Sequence, residues 1–114
     1  MKLPSEAQLV RIFIGENDKY EGRPLYEVIV EEARRRGMAG ATVLRGILGF
    51  GAHSRIHTSK ILRLSEDLPI VIEIVDKPER IENFLPKLDT MIQEGLITME
   101  YVNVIAYRHN SSNE

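Results

Sequence analysis

Gly37-Met-Ala-Gly-Ala-Thr-Val-Leu-Arg-Gly-Ile-Leu-Gly-Phe-Gly51 runs from a helix exit through a strand to a glycine-flanked end. Arg34, Arg35 and Arg36 precede it, and Gly37 stands where a helix would exit, because glycine takes the left-handed C′ conformation without steric cost. From Ala41 to Phe50 the residues are mostly β-branched or aliphatic and predict a strand. The strand ends in Gly49-Phe50-Gly51 and enters a polar loop over 51–68. Between Ala33 and Ser65 there is no Asp or Glu, while Arg34, Arg35, Arg36, Arg45, Arg55, Lys60 and Arg63 all fall there. A buried strand that delivers glycines and positive charge to one spot suits an anion such as a phosphate.

Upstream, Leu9 to Ile14 reads as a strand ended by Gly15, and Glu16 to Gly22 as a polar loop. Pro24 suits the first turn of a helix that carries Leu25, Val28, Ile29 and Ala33 at helical spacing. Downstream, Leu68 to Val75 is a third strand with Pro69 at its start. Asp76 is the expected N-cap of a second helix, with Pro78 just inside it. Ile81, Phe84, Leu85, Leu88, Met91 and Ile92 form its apolar stripe. Pro86 is expected to kink that helix or split off its last turns, and Gly95 to end it. Leu96 to Tyr107 is the fourth strand, and 108–114 a polar tail.

The order β-α-β-β-α-β predicts an α+β, ferredoxin-like sandwich: an antiparallel sheet with two helices on one face, in one domain over 1–114. The strands are apolar on both alternations, so the uncovered face calls for a second cover. Another copy of the chain is the simplest source, and a compact homo-oligomer is expected.

The 114 residues hold 15 Lys and Arg against 17 Asp and Glu, a net charge of −2, which argues against bulk nucleic-acid binding. There is no cysteine, so thiol catalysis, disulfides and Cys-based metal centres are excluded. No apolar run approaches the roughly 20 residues that span a bilayer, so no membrane insertion is expected. Met1 to Glu6 breaks before any apolar leader core, and a cytoplasmic location is expected.

Among candidate site residues, Gly49, Phe50 and Gly51 permit close backbone approach to a ligand. His53, Arg55, His57, Lys60 and Arg63 make the following loop basic, and Arg55 or Lys60 suits a phosphate. Arg45, inside an apolar strand, needs a partner: a ligand phosphate or a carboxylate in a structural salt bridge. Arg11 poses the same choice, with Glu73 able to pair with either. Glu16, Asp18 and Glu21 form an acidic loop of the kind that can ligate a hard cation or simply face water. No nucleophile elbow, Walker segment or His-Glu-x-x-His pair occurs, so no enzymatic activity is expected; an intersubunit catalytic site is the residual alternative.

The segment from Gly37 to Gly51, with its Gly-x-Thr-Val run leading to Gly-Phe-Gly and a basic loop, resembles the PII signalling proteins. Asp67 to Val75 resembles their third strand. The likeness spans about Leu9 to Tyr107 and is closer to an uncharacterised PII-like bacterial and archaeal family related to nitrogen regulatory protein PII. It implies a homotrimer that binds an adenine nucleotide (ATP, ADP or AMP) in clefts between subunits, with no metal. It also implies signal transduction through the loop after the second strand, which would engage a protein target such as a membrane transporter. Thr42, Gly49 and Gly51 fall on the family's nucleotide-contacting strand, and His53 and Arg55 on the base of the loop. Arg108 is the stand-in for the prototype's C-terminal arginines. The prototype's Gly- and Lys-rich phosphate loop is replaced by Gln93-Glu94-Gly95-Leu96-Ile97. The alternative is a trimeric divalent-metal-binding protein of the copper-tolerance type, with His53, His57 and His109, and a Glu or Asp from a neighbouring subunit, as ligands.

Overall fold

The computed structural model describes residues 5–49 and 67–109. Strand β1 spans Glu6–Gly15, followed by a small hairpin of β2 (Lys19–Tyr20) and β3 (Arg23–Pro24). Helix α1 covers Leu25–Arg35, β4 Thr42–Arg45, β5 Pro69–Asp76, α2 Pro78–Met91 and β6 Leu96–Asn103. The four long strands form one antiparallel sheet in the order β4-β5-β1-β6. This is the expected α+β ferredoxin-like fold, in which each helix crosses over between strands that are not neighbours.

Register separates the two faces of the sheet. Val10, Ile12 and Ile14 of β1 pair with Ile74, Ile72 and Ile70 of β5, and all six are buried. They pack with Ile29 and Ala33 of α1 and with Ile81, Phe84, Leu88 and Met91 of α2 as one core. The opposite face carries Leu9, Phe13, Leu44, Val71, Val75 and Leu96, with Phe13, Leu44 and Leu96 36–56% exposed. At its centre Arg11 bridges two strands, its Nε 2.9 Å from Glu73 Oε2 and its Nη1 2.6 Å from Glu100 Oε2. Hydrogen bonding to Glu73 and then Glu100 raises the Arg11 pKa.

The local chemistry departs from the sequence expectation at several points. The segment Glu16 to Gly22 contains a tight hairpin whose turn residues, Glu21 and Gly22, both have positive φ. This is the backbone that matches strand twist in a two-residue turn. Pro24 pairs with Lys19 and is the N-cap of α1, one position before its first turn. The exit of α1 is as expected: Gly37 has φ +71°, its N–H donates to Arg34 O, and Met38 N–H donates to Ala33 O. That pair of bonds is a Schellman turn.

Strand β4 stops at Arg45 instead of Phe50, although Gly46 N–H still donates to Pro69 O at 2.7 Å. The N-cap of α2 is Lys77, not Asp76. Asp76 is fully buried and uses its carboxylate to accept the N–H groups of Lys77 and Ala39, pinning the entry to β4. Helix α2 runs unbroken through Pro86 and ends at Met91, with Ile92 as C-cap and Gly95 beyond. Strand β6 ends at Asn103, and the Tyr107 hydroxyl then donates to Ala39 O at 2.9 Å. Since β6 and β4 are opposite edges of the sheet, 104–107 crosses the ends of β1 and β5.

Candidate functional site

The stretch that leaves β4 and the one that enters β5 form two feet standing on the turn after β1. Glu16 N–H donates to Leu68 O at 2.8 Å, and Asn17 N–H to Asp67 Oδ1 at 3.1 Å. Gly15 N–H donates to Asp18 Oδ2 at 2.9 Å, which closes the turn. Arg45 Nη2 lies 2.6 Å from Glu16 Oε2. Arg45 therefore has the carboxylate that its place in the strand demanded, and the carboxylate comes from its own chain.

The glycines have a local reason too. A Cβ at Gly46 would come within 2.8 Å of Pro69 Cγ, and one at Gly49 within 3.1 Å. The foot of β4 thus lies flat on the proline ring that opens β5. Glu16, Asp67 and Pro69 were each noted in the sequence, but not as parts of this base. They sit at the joints between elements, where no periodicity marks them; the acidic loop was visible, but its contact with Arg45 was not.

Thr42, at the start of β4, faces the open side of the sheet opposite Glu73 and is exposed. Arg108 is exposed and follows Tyr107, which is tied to Ala39 ahead of β4. Thr42 and Arg108 thus belong to one end of β4, and Arg45 and Gly49 to the other. Phe50, Gly51, His53 and Arg55 lie outside the described residues, as do His57, Lys60 and Arg63. His109 stacks at a tilt against Tyr107, ring centroids 6.1 Å apart. Among the described residues, no three His, Asp or Glu side chains come together as a metal site.

With Glu16, Asp18 and Asp67 around it, the described base of the loop is acidic despite Arg45. A phosphate placed there would need cations from elsewhere. The 51–68 segment supplies Arg55, Lys60 and Arg63 in the sequence.

Residues 7–104 match the family described as DUF190: Uncharacterized ACR, COG1993. The chain belongs to the DUF190 family. It is similar to a UPF0166 protein of Aquifex aeolicus, 43% identical over 98 residues that make up 86% of this chain and 92% of that one. A UPF0166 protein of Methanocaldococcus jannaschii is 42% identical over 81% of this chain and 85% of its own. Among solved structures, this DUF190 chain has the fold of a "putative PII-like signaling protein" from Thermus thermophilus. That match has a TM-score of 0.60 at 21% identity, covering 88% and 90% of the two chains. It also has the fold of CPII from Thiomonas intermedia, solved bound to ADP and bicarbonate. That match has a TM-score of 0.55 at 19% identity, covering 87% and 88%. The expected likeness to PII-like proteins is found in the fold, and the sequence family is, as expected, an uncharacterised one. Among the described residues of this DUF190 chain, no helix is long and apolar enough to cross a membrane.

Proposed function

We propose that this DUF190 chain is a PII-like regulatory protein that binds an adenine nucleotide in clefts between the subunits of a homotrimer. The observation that carries the reading is the open sheet face, apolar around the Arg11–Glu73–Glu100 network and edged by the exposed strand β4. An apolar face of this kind is a surface for association. When copies pack there, Thr42 and the feet of the 51–68 segment come to line the seams. The fold shared with CPII, a protein solved with ADP, supports the choice of ligand.

In this reading Thr42, Gly49, Phe50, Gly51 and Arg108 contact the nucleotide, and His53 and Arg55 meet its phosphates. Arg45 is held by Glu16 and serves as a strut for the base. The ligand acts as a switch because it favours one arrangement of the 51–68 segment over another, and that segment engages the protein target.

Isothermal titration with ATP, ADP and AMP tests the proposal, with Arg55→Ala as the informative variant. Gly49→Val is a poor choice because its side chain would also press on Pro69. Micromolar binding is expected, weakened at least about tenfold by the loss of one charge-assisted phosphate contact. Absence of heat with all three nucleotides overturns it.

A further inference from the structure

On the helix-covered side, the end of α1 and the start of α2 flank an open surface cavity of about 290 Å³ lined by Arg36, Met38, Arg80 and Asn83. We propose that this cavity is a second ligand site, for a small oxyanion bearing phosphate or carboxylate groups, held between the guanidinium groups of Arg36 and Arg80.

Both arginines are fixed by the fold. Arg36 Nε donates to Glu32 Oε2 at 2.7 Å, its Nη1 points at Asn83 O at 3.4 Å, and its guanidinium lies 5.5 Å over the Phe84 ring. Arg80 Nη1 donates to Gly37 O at 2.6 Å, a carbonyl presented by the Schellman turn. A guanidinium has five N–H donors. These contacts leave Arg36 Nη2 and Arg80 Nε and Nη2 without an acceptor among the described residues. Donors held in place beforehand lose little entropy on binding, and the guanidinium fork matches a carboxylate or phosphate edge.

The two charged residues that line the cavity are both cationic. No carboxylate lines it. Glu32, the nearest acid on α1, is buried and has both oxygens taken, one by Arg35 and one by Arg36. Asp76 is buried with both oxygens accepting backbone N–H groups. Glu79 and Glu82 are exposed on α2 but do not line the cavity. Arg34, Arg35 and Lys77 add positive charge at the same two helix ends. The volume is at the small end for a ligand pocket, which fits an inorganic phosphate or a short polycarboxylate. Met38 gives such a molecule one soft apolar contact.

The site is argued from residues other than those of the nucleotide reading: Gly49 lies at the far end of β4 from Gly37 to Ala39 and Thr42 faces the other side of the sheet, while Arg108, next to the Tyr107 that is tied to Ala39, is the nucleotide residue nearest to it. The test is NMR titration of the full chain with inorganic phosphate and, separately, citrate, against sodium chloride at matched ionic strength. Saturable shifts of the 36–38 and 80–83 amides are expected with at least one of the two anions. Which anion saturates assigns the head group. Arg80→Gln is expected to weaken binding about tenfold or more. Asn83→Asp, which leaves the Arg80–Gly37 contact intact and places a carboxylate at the rim, should do the same and keeps the test open if Arg80→Gln fails to fold. ADP affinity should be unchanged in both. Shifts that stay linear in concentration, that follow chloride equally, or that survive Asn83→Asp overturn the proposal.

Discussion

Gly46 and Gly49 show how one residue type answers to two demands. In the sequence, glycines beside cations at a strand end point to a phosphate. In the structure they also let the backbone rest on Pro69, and Arg45 beside them is claimed by Glu16. The need for a partner at Arg45 was legible from its apolar neighbours, but its identity was not, because Glu16 is distant in the chain and lies in a turn. The packing role carries its own prediction. Gly46→Val puts a side chain into a proline ring that cannot swing aside, and overpacking of this kind costs about 1–3 kcal/mol. Urea denaturation should show that loss whether or not any nucleotide is present. An unchanged midpoint would mean that β4 does not lie on Pro69.

Helix α1 is held at its C-terminal end by a single carboxylate. Glu32 accepts hydrogen bonds from Arg36 and Arg35, and the Arg36 bond first, then that of Arg35, lowers its pKa below the usual glutamate value. A folded-state pKa below the unfolded one stabilises the protein above the unfolded value, about 4.3, and the gain fades as pH falls through the lowered folded value. Glu32→Gln should therefore cost about 1 kcal/mol near pH 7. The gap between variant and parent melting temperatures should close as the pH is taken below about 4. A gap that persists at pH 2 would assign the loss to packing instead.

At this scale the apolar stripes of both helices and the Gly37 exit were readable, because burial and backbone sterics act locally. Pro86 was not, since its neighbours on the buried stripe, Phe84 and Leu88, hold α2 against the core on both sides of it. Asp76 looked like an N-cap because it is an acid before Pro78. Its displacement by one residue reflects a tertiary bond, to Ala39, that no local pattern encodes.

For the molecule as a whole, element order and alternation were enough to give the sheet topology and the face left bare. Phe13, Leu44 and Leu96 are exposed apolar side chains on that face, and the Arg11 triad makes its centre polar. If copies meet there, Leu44→Glu places an unpaired charge in the contact, at the cost of removing it from water. Sedimentation should show the parent as a trimer and the variant shifted toward monomer. An unchanged mass would put the association elsewhere.

The sheet order has a further bearing on how the polypeptide is made. Its first two long strands to be synthesised, β1 and β4, are not neighbours, because β5 lies between them. The central strand β1 finds both its partners only after residue 69, and β6 pairs with it across nearly the full length of the chain. Such distant pairing is slow to form and leaves apolar segments uncovered meanwhile. A nascent chain halted on the ribosome before Pro69 lacks both partners of β1, so protease protection of β1 should arise only once the C-terminal half has emerged.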